Sequence, residues 1–273
     1  MTPRWVVYDE PAGGGGGGGG GGPWDPSQLS STSIWIDIDA LGLANGTGLT
    51  TLTDQTGNGY DLAGSSTYAT VVSGDLNGLD VADFQDLGGY TLTGWTGPFG
   101  NDGMVFAGVV EIASTSSHAY ISETRAAVPA SQLTPLLYRT YEELTPSNQR
   151  RDGADVDVDL SAAAPSNTGW IVVVLAHDYV TGGVDLRVNG TSVATGTLTS
   201  TGPGPETNLS VGLGSSATNV APWENKIAEA LWFDDRLTTG ATGDLERVEG
   251  YLAHRYALQS KLPVSHPYKN AAP

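Results

Sequence analysis

The chain contains no cysteine among its 273 residues, which excludes disulfide bonds and thiolate metal sites. Positive charge is also scarce, because 12 Lys and Arg residues stand against 30 Asp and Glu residues and give a formal net charge of -18. Nucleic acid binding depends on basic side chains that replace the counterions of the phosphates. A nucleic acid partner is therefore not expected.

Long hydrophobic runs are missing as well. No stretch is long enough to span a membrane, and the first residues, MTPRWVVY, lack the apolar segment of a secretory signal peptide. We therefore expect no membrane insertion. The chain also shows no coiled-coil heptads that would enforce a trimer. A homo-oligomer is a candidate state, but no sequence motif indicates it.

The composition indicates an all-β protein. The chain has 38 glycines, 39 % hydrophobic residues and only 15 % charged residues, a balance typical of many strands joined by tight turns. A length of 273 residues suits one large β domain.

Residues 1–26 form a separate unit. Trp5, Val6, Val7 and Tyr8 favour a short strand, and an unbroken glycine run, Gly13 to Gly22, follows. Polyglycine has no side chains to bury, so a flexible linker is the favoured interpretation, and a segment threaded against a neighbouring subunit is the alternative. We predict an N-terminal attachment arm over residues 1–26 and one folded domain over residues 27–273.

Within the domain, apolar runs and alternating patterns predict the strands. Ile34, Ile36 and Ile38 share one face of an extended segment. Long apolar runs at 104–112 and 170–177 predict buried central strands. The segment VDLRVNG at 184–190 alternates and ends in an Asn-Gly turn, which predicts a hairpin with a return strand at 191–195. Further strands are predicted at 81–84, 90–92, 119–122, 136–138, 156–160 and 208–213.

The closing segment, residues 227–268, reads IAEALWFDDRLTTGATGDLERVEGYLAHRYALQSKLPVSHPY. Its first seven residues predict a buried strand. A helix capped by Thr242 or Asp244 follows, with Leu245, Val248, Tyr251, Leu252 and Tyr256 at helical spacing. Pro263 and Pro267 then end regular structure. His254 and His266 are expected to pack within this segment.

This closing segment, together with the VNG hairpin and the turn DQTGNGYD at 54–61, resembles the LamG-like domains found in phage virion proteins and bacterial surface proteins. Leu52 departs from the family, which usually carries Trp near this position. The resemblance implies a concanavalin A-like jelly-roll sandwich of two antiparallel sheets with a short C-terminal helix and, here, an extended N-terminal arm.

The resemblance also implies a function. We expect a non-enzymatic surface protein of a phage or phage-like virion, either a tail-fibre or receptor-binding module or a decoration protein. Its partners would be other virion structural proteins, contacted through Trp5 to Tyr8, and host-surface glycans. Assembly in the host cytoplasm and release by lysis would bring such a protein outside the cell without a secretion signal. A bacterial adhesin or lectin is an alternative.

A glycoside hydrolase is the enzymatic alternative, because jelly rolls of this type include hydrolases with paired carboxylates on one strand. Asp155, Asp157 and Asp159 alternate and would share one face. No Glu occupies the positions of the family motif, so a solvated edge strand is the favoured interpretation and no catalytic residue is predicted.

Two kinds of ligand site remain candidates. Calcium is conceivable at a set of hard oxygen ligands, although turn-forming roles are favoured for them. They are Asp37, Asp39, Asp54, Asn58 and Asp61. Exposed aromatic platforms beside amides and carboxylates are the pattern to look for in carbohydrate recognition, and loops tend to carry such sites. The candidates are Trp95, Asn101, Asp102, Tyr138, Tyr141 and Trp223, with burial under a loop as the alternative for both tryptophans.

Overall fold

The computed structural model describes residues 24–65, 68–85, 88–98, 100–112, 119–126, 134–140, 143–149, 157–159, 162–163, 169–197, 201, 209–215 and 222–273. Between 119 and 163, side chains are described for residues 121–124 only. The strands are β1 (Thr32–Asp37), β2 (Thr51–Leu52), β3 (Leu62–Gly64), β4 (Thr70–Leu76), β5 (Leu79–Asp83), β6 (Tyr90–Trp95), β7 (Gly103–Ile112), β8 (Ala119–Ala126), β9 (Thr134–Thr140), β10 (Glu143–Gln149), β11 (Asp157–Asp159), β12 (Ala162–Ala163), β13 (Gly169–Asp178), β14 (Gly183–Val188), β15 (Thr191–Thr197), β16 (Leu209–Leu213) and β17 (Lys226–Phe233). The helix α1 spans Asp244–Arg255, and single 3₁₀ turns span Pro26–Gln28, Asp39–Leu41 and Gln259–Lys261.

These strands form two antiparallel sheets, which confirms the predicted all-β sandwich. In the described residues, sheet A has the order β15-β14-β13-β7-β17-β5-β4, with β1 also paired to β17. Sheet B has the order β11-β10-β9-β8-β16-β6-β3-β2, with β12 also paired to β10. The predicted hairpin is β14 and β15, whose Asn189 turns with a φ of 49° and Gly190 with a φ of 77°.

The main hydrophobic core lies between the two sheets. Sheet A contributes alternate residues of its long strands, such as Ile34, Phe106, Val173 and Trp232. Sheet B contributes the matching positions of β6 and β16. The strands at the centre of sheet A are apolar on both faces because their other face is covered too.

Helix α1 covers the outer face of sheet A and makes the second core. The predicted stripe of Leu245, Val248, Leu252 and Tyr256 packs there against residues such as Leu231 and Phe233 of β17. The predicted side-chain cap was wrong, because the N-cap is Gly243 without a side-chain hydrogen bond. The preceding loop folds back instead, so that Thr238 Oγ1 accepts the N–H of Asp244 at 3.0 Å.

A buried cluster of charged groups ties α1 to sheet A. Arg255 donates to Asp37 Oδ2 at 2.7 Å and lies 3.4 Å from Glu229 Oε2, while Trp35 Nε1 donates to Glu229 Oε1 at 2.7 Å. Glu229 is completely buried. Burial, and after it the nearby Asp37, raise the pKa of Glu229 to about 8 against the opposing charge of Arg255. Neutral pH therefore favours the protonated form of Glu229, which lowers the negative charge that Asp37, Asp39 and Glu229 place around one guanidinium.

A second cluster fixes the C-terminal tail. Arg187 donates to both oxygens of Glu249, at 2.8 and 2.9 Å, and His266 lies 3.3 Å from the same carboxylate. Burial alone would raise the pKa of Glu249, but hydrogen bonds from His266 and Arg187 offset it and hold this pKa below its usual range. His254 contacts Tyr268 O at 2.8 Å. Both histidines therefore pack within the closing segment, as predicted.

The first prediction concerns Glu229→Gln. A carboxyl whose pKa is raised from 4.5 to about 8 by folding stabilises the fold most at low pH, and this contribution is lost as the pH rises through that window. Gln does not titrate, so the free energy of unfolding of the variant should fall less between pH 6 and 9 than that of the wild type. The difference should be on the order of a few kcal/mol, because one pKa unit corresponds to about 1.4 kcal/mol. Urea unfolding at a series of pH values measures this difference.

The control for this prediction is Glu111→Gln, a half-buried position of β7. It removes the same charge outside the cluster and should leave the pH dependence of the wild type unchanged. Equal slopes for wild type and Glu229→Gln would contradict the assigned proton.

Candidate functional site

A cleft of about 790 Å³ opens on the helix side of sheet A. It lies where the start of β7, the end of β13, the hairpin β14–β15 and the loop between β17 and α1 meet. Its polar lining is Asp102, His177, Asp178, Thr181, Asp185, Thr195, Asp235, Arg236, Thr238 and Thr239. Its apolar lining includes Val105, Ala176, Val184, Leu237 and Leu245. The cleft thus presents charged and hydroxyl groups above an apolar floor.

Two segments that are distant in sequence build one wall. Asn101 Nδ2 donates to Asp234 O at 2.7 Å, and Asp102 N–H donates to Asp235 Oδ1 at 3.1 Å. The same Asp235 oxygen accepts the N–H of Arg236 at 2.8 Å, which closes a tight turn. These bonds hold the turn after β17 against the start of β7.

Gly103 allows this close approach. A Cβ at this position would lie 2.7 Å from Cβ of Arg236 and 3.0 Å from its Cα, a separation that real Cβ atoms do not show. The chain at Arg236 therefore packs directly on the backbone of β7. This contact therefore fixes the position of the backbone from which the Arg236 side chain extends into the cleft.

The guanidinium of Arg236 lies between two carboxylates. Its Nη1 is 3.6 Å from Asp178 Oδ2 and its Nη2 is 3.9 Å from Asp102 Oδ2. Asp178 is held in place because its Oδ1 accepts the N–H groups of Val180 at 2.8 Å and Thr181 at 3.2 Å. The Arg236 side chain is 49 % exposed. It therefore offers N–H donors to solvent or a ligand beside two acceptor groups.

Asp185 occupies the opposite wall, on β14. Its Oδ1 accepts from Ser192 Oγ at 2.6 Å, and its Oδ2 lies 3.5 Å from Arg187. Arg187, which is not part of the cleft lining, thus partly neutralises the charge of this carboxylate. Its side chain is 30 % exposed, so it still faces the cleft as an acceptor.

The structure places the predicted ligand residues unevenly. Asp102 lines the cleft and Asn101 supports its wall. The expectation of exposed platforms at Trp95 and Trp223 is corrected, because both rings are fully buried and the alternative, packing, is what is found. Trp95 ends β6 with its side chain in the core, where Nε1 donates to Ser33 Oγ at 2.8 Å, and Trp223, which precedes β17, is buried in the same core.

Several predicted residues lie where the structure gives little or no description. Tyr138 belongs to β9, whose side chains are not described, and Tyr141 lies outside the described residues. The segment Trp5 to Tyr8 lies outside them as well. Of the alternating carboxylates, Asp155 is outside, and Asp157 and Asp159 bound β11, which pairs with β10 at an end of sheet B.

The candidate calcium ligands serve turns and ion pairs. Asp37 and Asp39 face Arg255, at 2.7 and 3.7 Å. Asp54 accepts the N–H groups of Trp35 and Thr56, each at 3.0 Å, and its own N–H donates to Asp61. Over the described part of the chain, no group of three or more Asp, Glu, His or Cys side chains is arranged to hold a metal ion.

Sequence reasoning missed Arg236, Asp178 and Asp235. The available signal was local: an Asp-Asp-Arg turn directly after one buried strand, and an Asn-Asp-Gly turn at the start of another. Neither motif shows from sequence that the two turns meet. The sheet pairing of β7 with β13 and β17 brings them together.

Comparison with known proteins gives structural likeness alone. No family model and no curated protein matches the chain. Similar solved structures include domain 4 of AbnA, a GH43 extracellular arabinanase from Geobacillus stearothermophilus in complex with arabinotriose, at 16 % identity and a TM-score of 0.48, covering 76 % of this chain and 94 % of that one. Another is the carbohydrate esterase vb_24B_21 from the Shiga toxin-encoding bacteriophage phi24B, at 11 % identity and a TM-score of 0.46, covering 75 % and 98 %.

A third similar structure is the CBM40 of Ruminococcus gnavus IT-sialidase, at 17 % identity and a TM-score of 0.43, covering 51 % of this chain and 79 % of that one. These values are too low to transfer a ligand or an activity. Through the described residues, no helix combines the length and the apolar character needed to cross a membrane. The class defined by the structure itself is an all-β sandwich of two antiparallel sheets, with a helix on one of them.

The wall contacts generate a prediction for Asn101→Ala. The change removes the 2.7 Å hydrogen bond to Asp234 O, so the loop at 234–243 should open more often, at a cost of about 1 kcal/mol in stability. Hydrogen exchange of peptides from this loop should become several-fold faster. The matched control is Asn45→Ala, which removes a bond to Ser73 N–H at another surface. Unchanged exchange at 234–243 would show that the wall does not depend on Asn101.

Proposed function

We propose that the protein is a non-enzymatic surface protein of a phage or phage-like particle, and that it binds host-surface carbohydrate in the cleft around Arg236. The cleft is the observation that carries this proposal. Sugars present many hydroxyl groups and apolar ring faces, and a site for them needs paired donors and acceptors above an apolar floor. The lining of the cleft supplies both.

The donors and acceptors are placed for hydroxyl groups. Arg236 presents half-exposed N–H donors, while Asp102 and Asp178 present acceptors on either side of it. Charged partners make stronger hydrogen bonds than neutral ones. The threonines around the rim, such as Thr195 and Thr239, add hydroxyl groups, and Leu237 supplies apolar surface. The volume of about 790 Å³ has room for a short oligosaccharide.

The attachment part of the proposal rests on the N-terminal sequence. Trp5 to Tyr8 is an apolar strand-like segment, and ten glycines separate it from the domain. Trp24, where the described chain begins, packs on Tyr251 with ring centroids 5.9 Å apart and beneath Arg247 at 5.8 Å. The described chain therefore begins beside α1. A ten-residue glycine linker has a root-mean-square reach of roughly 18 Å, enough to contact a neighbouring subunit.

Glycan binding is tested with Arg236→Ala in the full chain. Loss of the central donor should weaken binding of the best glycan on an array at least tenfold, while the fold persists because the side chain is half exposed. Isothermal titration with that glycan gives the dissociation constants. Lys226→Ala is the matched control, since it removes a surface ion pair with Asp75 elsewhere and should not change binding. Equal affinities for wild type and Arg236→Ala would remove the cleft from the proposal.

The same assay distinguishes a glycan-binding protein from a glycoside hydrolase. Release of shorter oligosaccharides from the bound glycan, abolished by Asp157→Asn or Asp159→Asn, would establish the glycoside hydrolase instead. Intact glycan after prolonged incubation, together with binding, is the result expected here.

Attachment is tested with Trp5→Ser combined with Tyr8→Ser in the full chain. Loss of the two aromatic side chains should remove most of the apolar contact area of the arm, so the protein should no longer sediment with purified particles. Glycan binding should persist, because the cleft is not changed. The control is Val264→Ser, which replaces a valine that is 92 % exposed on the domain. Retention of the double variant on particles would show that another surface attaches the protein.

A further inference from the structure

The ion pairs around Arg236 limit which sugars the cleft can accept. Four carboxylates line the cleft, Asp102, Asp178, Asp185 and Asp235. Of the basic groups in the described lining, Arg236 is half exposed and His177 is 3 % exposed. Asp185 has Arg187 behind it, at 3.5 Å. Asp102 and Asp178 share the guanidinium of Arg236, and Asp235 adds a third carboxylate, so the cleft carries an excess of negative charge.

Two carboxylates already lie within ion-pair distance of the Arg236 guanidinium. Its two terminal nitrogens face Asp178 and Asp102 at 3.6 and 3.9 Å. An acidic sugar would need a cation that is free to pair with its carboxylate, usually an arginine in a two-pronged contact. Such a sugar would have to displace a carboxylate from Arg236 and then lie beside that carboxylate. Like charges at this separation repel, and the total charge of -18 adds to the repulsion.

The position of Arg236 is also built into the fold. Its backbone lies against Gly103, its N–H donates to Asp235, and Asn101 donates to the carbonyl of Asp234, two residues earlier. The side chain therefore cannot leave the two carboxylates by a movement of the whole turn without breaking these contacts. Its exposed N–H groups remain suited to neutral hydroxyl oxygens, which need no charge compensation.

We propose that Arg236, clamped between Asp102 and Asp178, is a specificity-determining residue that restricts the cleft to uncharged sugars and rejects acidic ones. This inference rests on the proposed carbohydrate binding. It names the ligand class as glycans of neutral hexoses or pentoses, and it assigns rejection of sialic and uronic acids to the two carboxylates that occupy the guanidinium.

The test is a change of specificity. The full chain and the variant Asp102→Asn with Asp178→Asn are compared on neutral oligosaccharides, on sialyllactose and on oligogalacturonate. The wild type should bind the best neutral glycan at least tenfold more tightly than either acidic one. The double variant leaves Arg236 unpaired, so this ratio should shrink at least fivefold, chiefly because acidic glycans gain affinity.

A variant with the same charge change controls for the general field. Asp75→Asn with Asp83→Asn alters the net charge equally, at the β4–β5 end of sheet A, and should leave the ratio unchanged. An equal shift in both double variants would overturn the clamp in favour of long-range repulsion. A wild type that prefers acidic glycans would overturn it as well. If the cleft double variant does not fold, Asp178→Asn against Asp75→Asn gives the same comparison.

The outcomes separate this inference from the proposed function. A wild type that binds none of the glycans removes the carbohydrate proposal together with this one. A wild type that binds neutral glycans, with a ratio that the cleft variants do not change, leaves carbohydrate binding in place and removes only the role of Arg236.

Discussion

Burial of β17 on both faces is the constraint on which the rest of the structure depends. Trp232 packs into the core between the sheets, while Leu231 and Phe233 pack beneath α1. The strand also pairs with β1, β5 and β7, so it holds the centre of sheet A together. Its one carboxyl, Glu229, is placed where α1 supplies Arg255, and protonation of Glu229 lowers the negative charge of the cluster. A buried charge of this kind is tolerated only when it is paired or neutralised.

The cleft is a consequence of the same strand. Where β17 ends, the chain turns through Asp234, Asp235 and Arg236 before it starts the helix. Because β17 pairs with β7 and β7 pairs with β13, the turn falls beside the ends of both strands. Asp102 and Asp178 thus reach Arg236 although they are 76 residues apart in sequence. The helix stays in place through its own apolar stripe and ion pairs, so the turn can carry polar side chains without weakening the core.

Periodicity was sufficient to predict the strands, because strands buried on both faces read as continuous apolar runs, as in β7, β13 and β17. Their arrangement as a two-sheet sandwich came from the resemblance of the closing segment and the hairpin to a known family. The apolar stripe of α1 and the β14–β15 hairpin could also be predicted, because each is a pattern of residues close together in sequence. The burial of Trp95 and Trp223 could not be predicted, because both rings pack into the core between the sheets, which strands distant in sequence build. The helix cap failed because the loop at 238–243 folds back on itself, and Arg236 was missed because its partners come from other strands.

The scarcity of basic residues gives each arginine a defined task. Among the arginines with described side chains, Arg187 and Arg255 are 13 and 19 % exposed and pair with buried carboxylates. Arg247 is 31 % exposed and covers Trp24. Arg236, at 49 %, is the most exposed of the four. An arginine that pairs with a buried carboxylate cannot bind a ligand instead without loss of stability, because the buried carboxylate would then lack a compensating charge. For the proposed glycan binding this is a physical reason to expect neutral sugars, and Arg236 is the described arginine with the most exposed side chain for that contact.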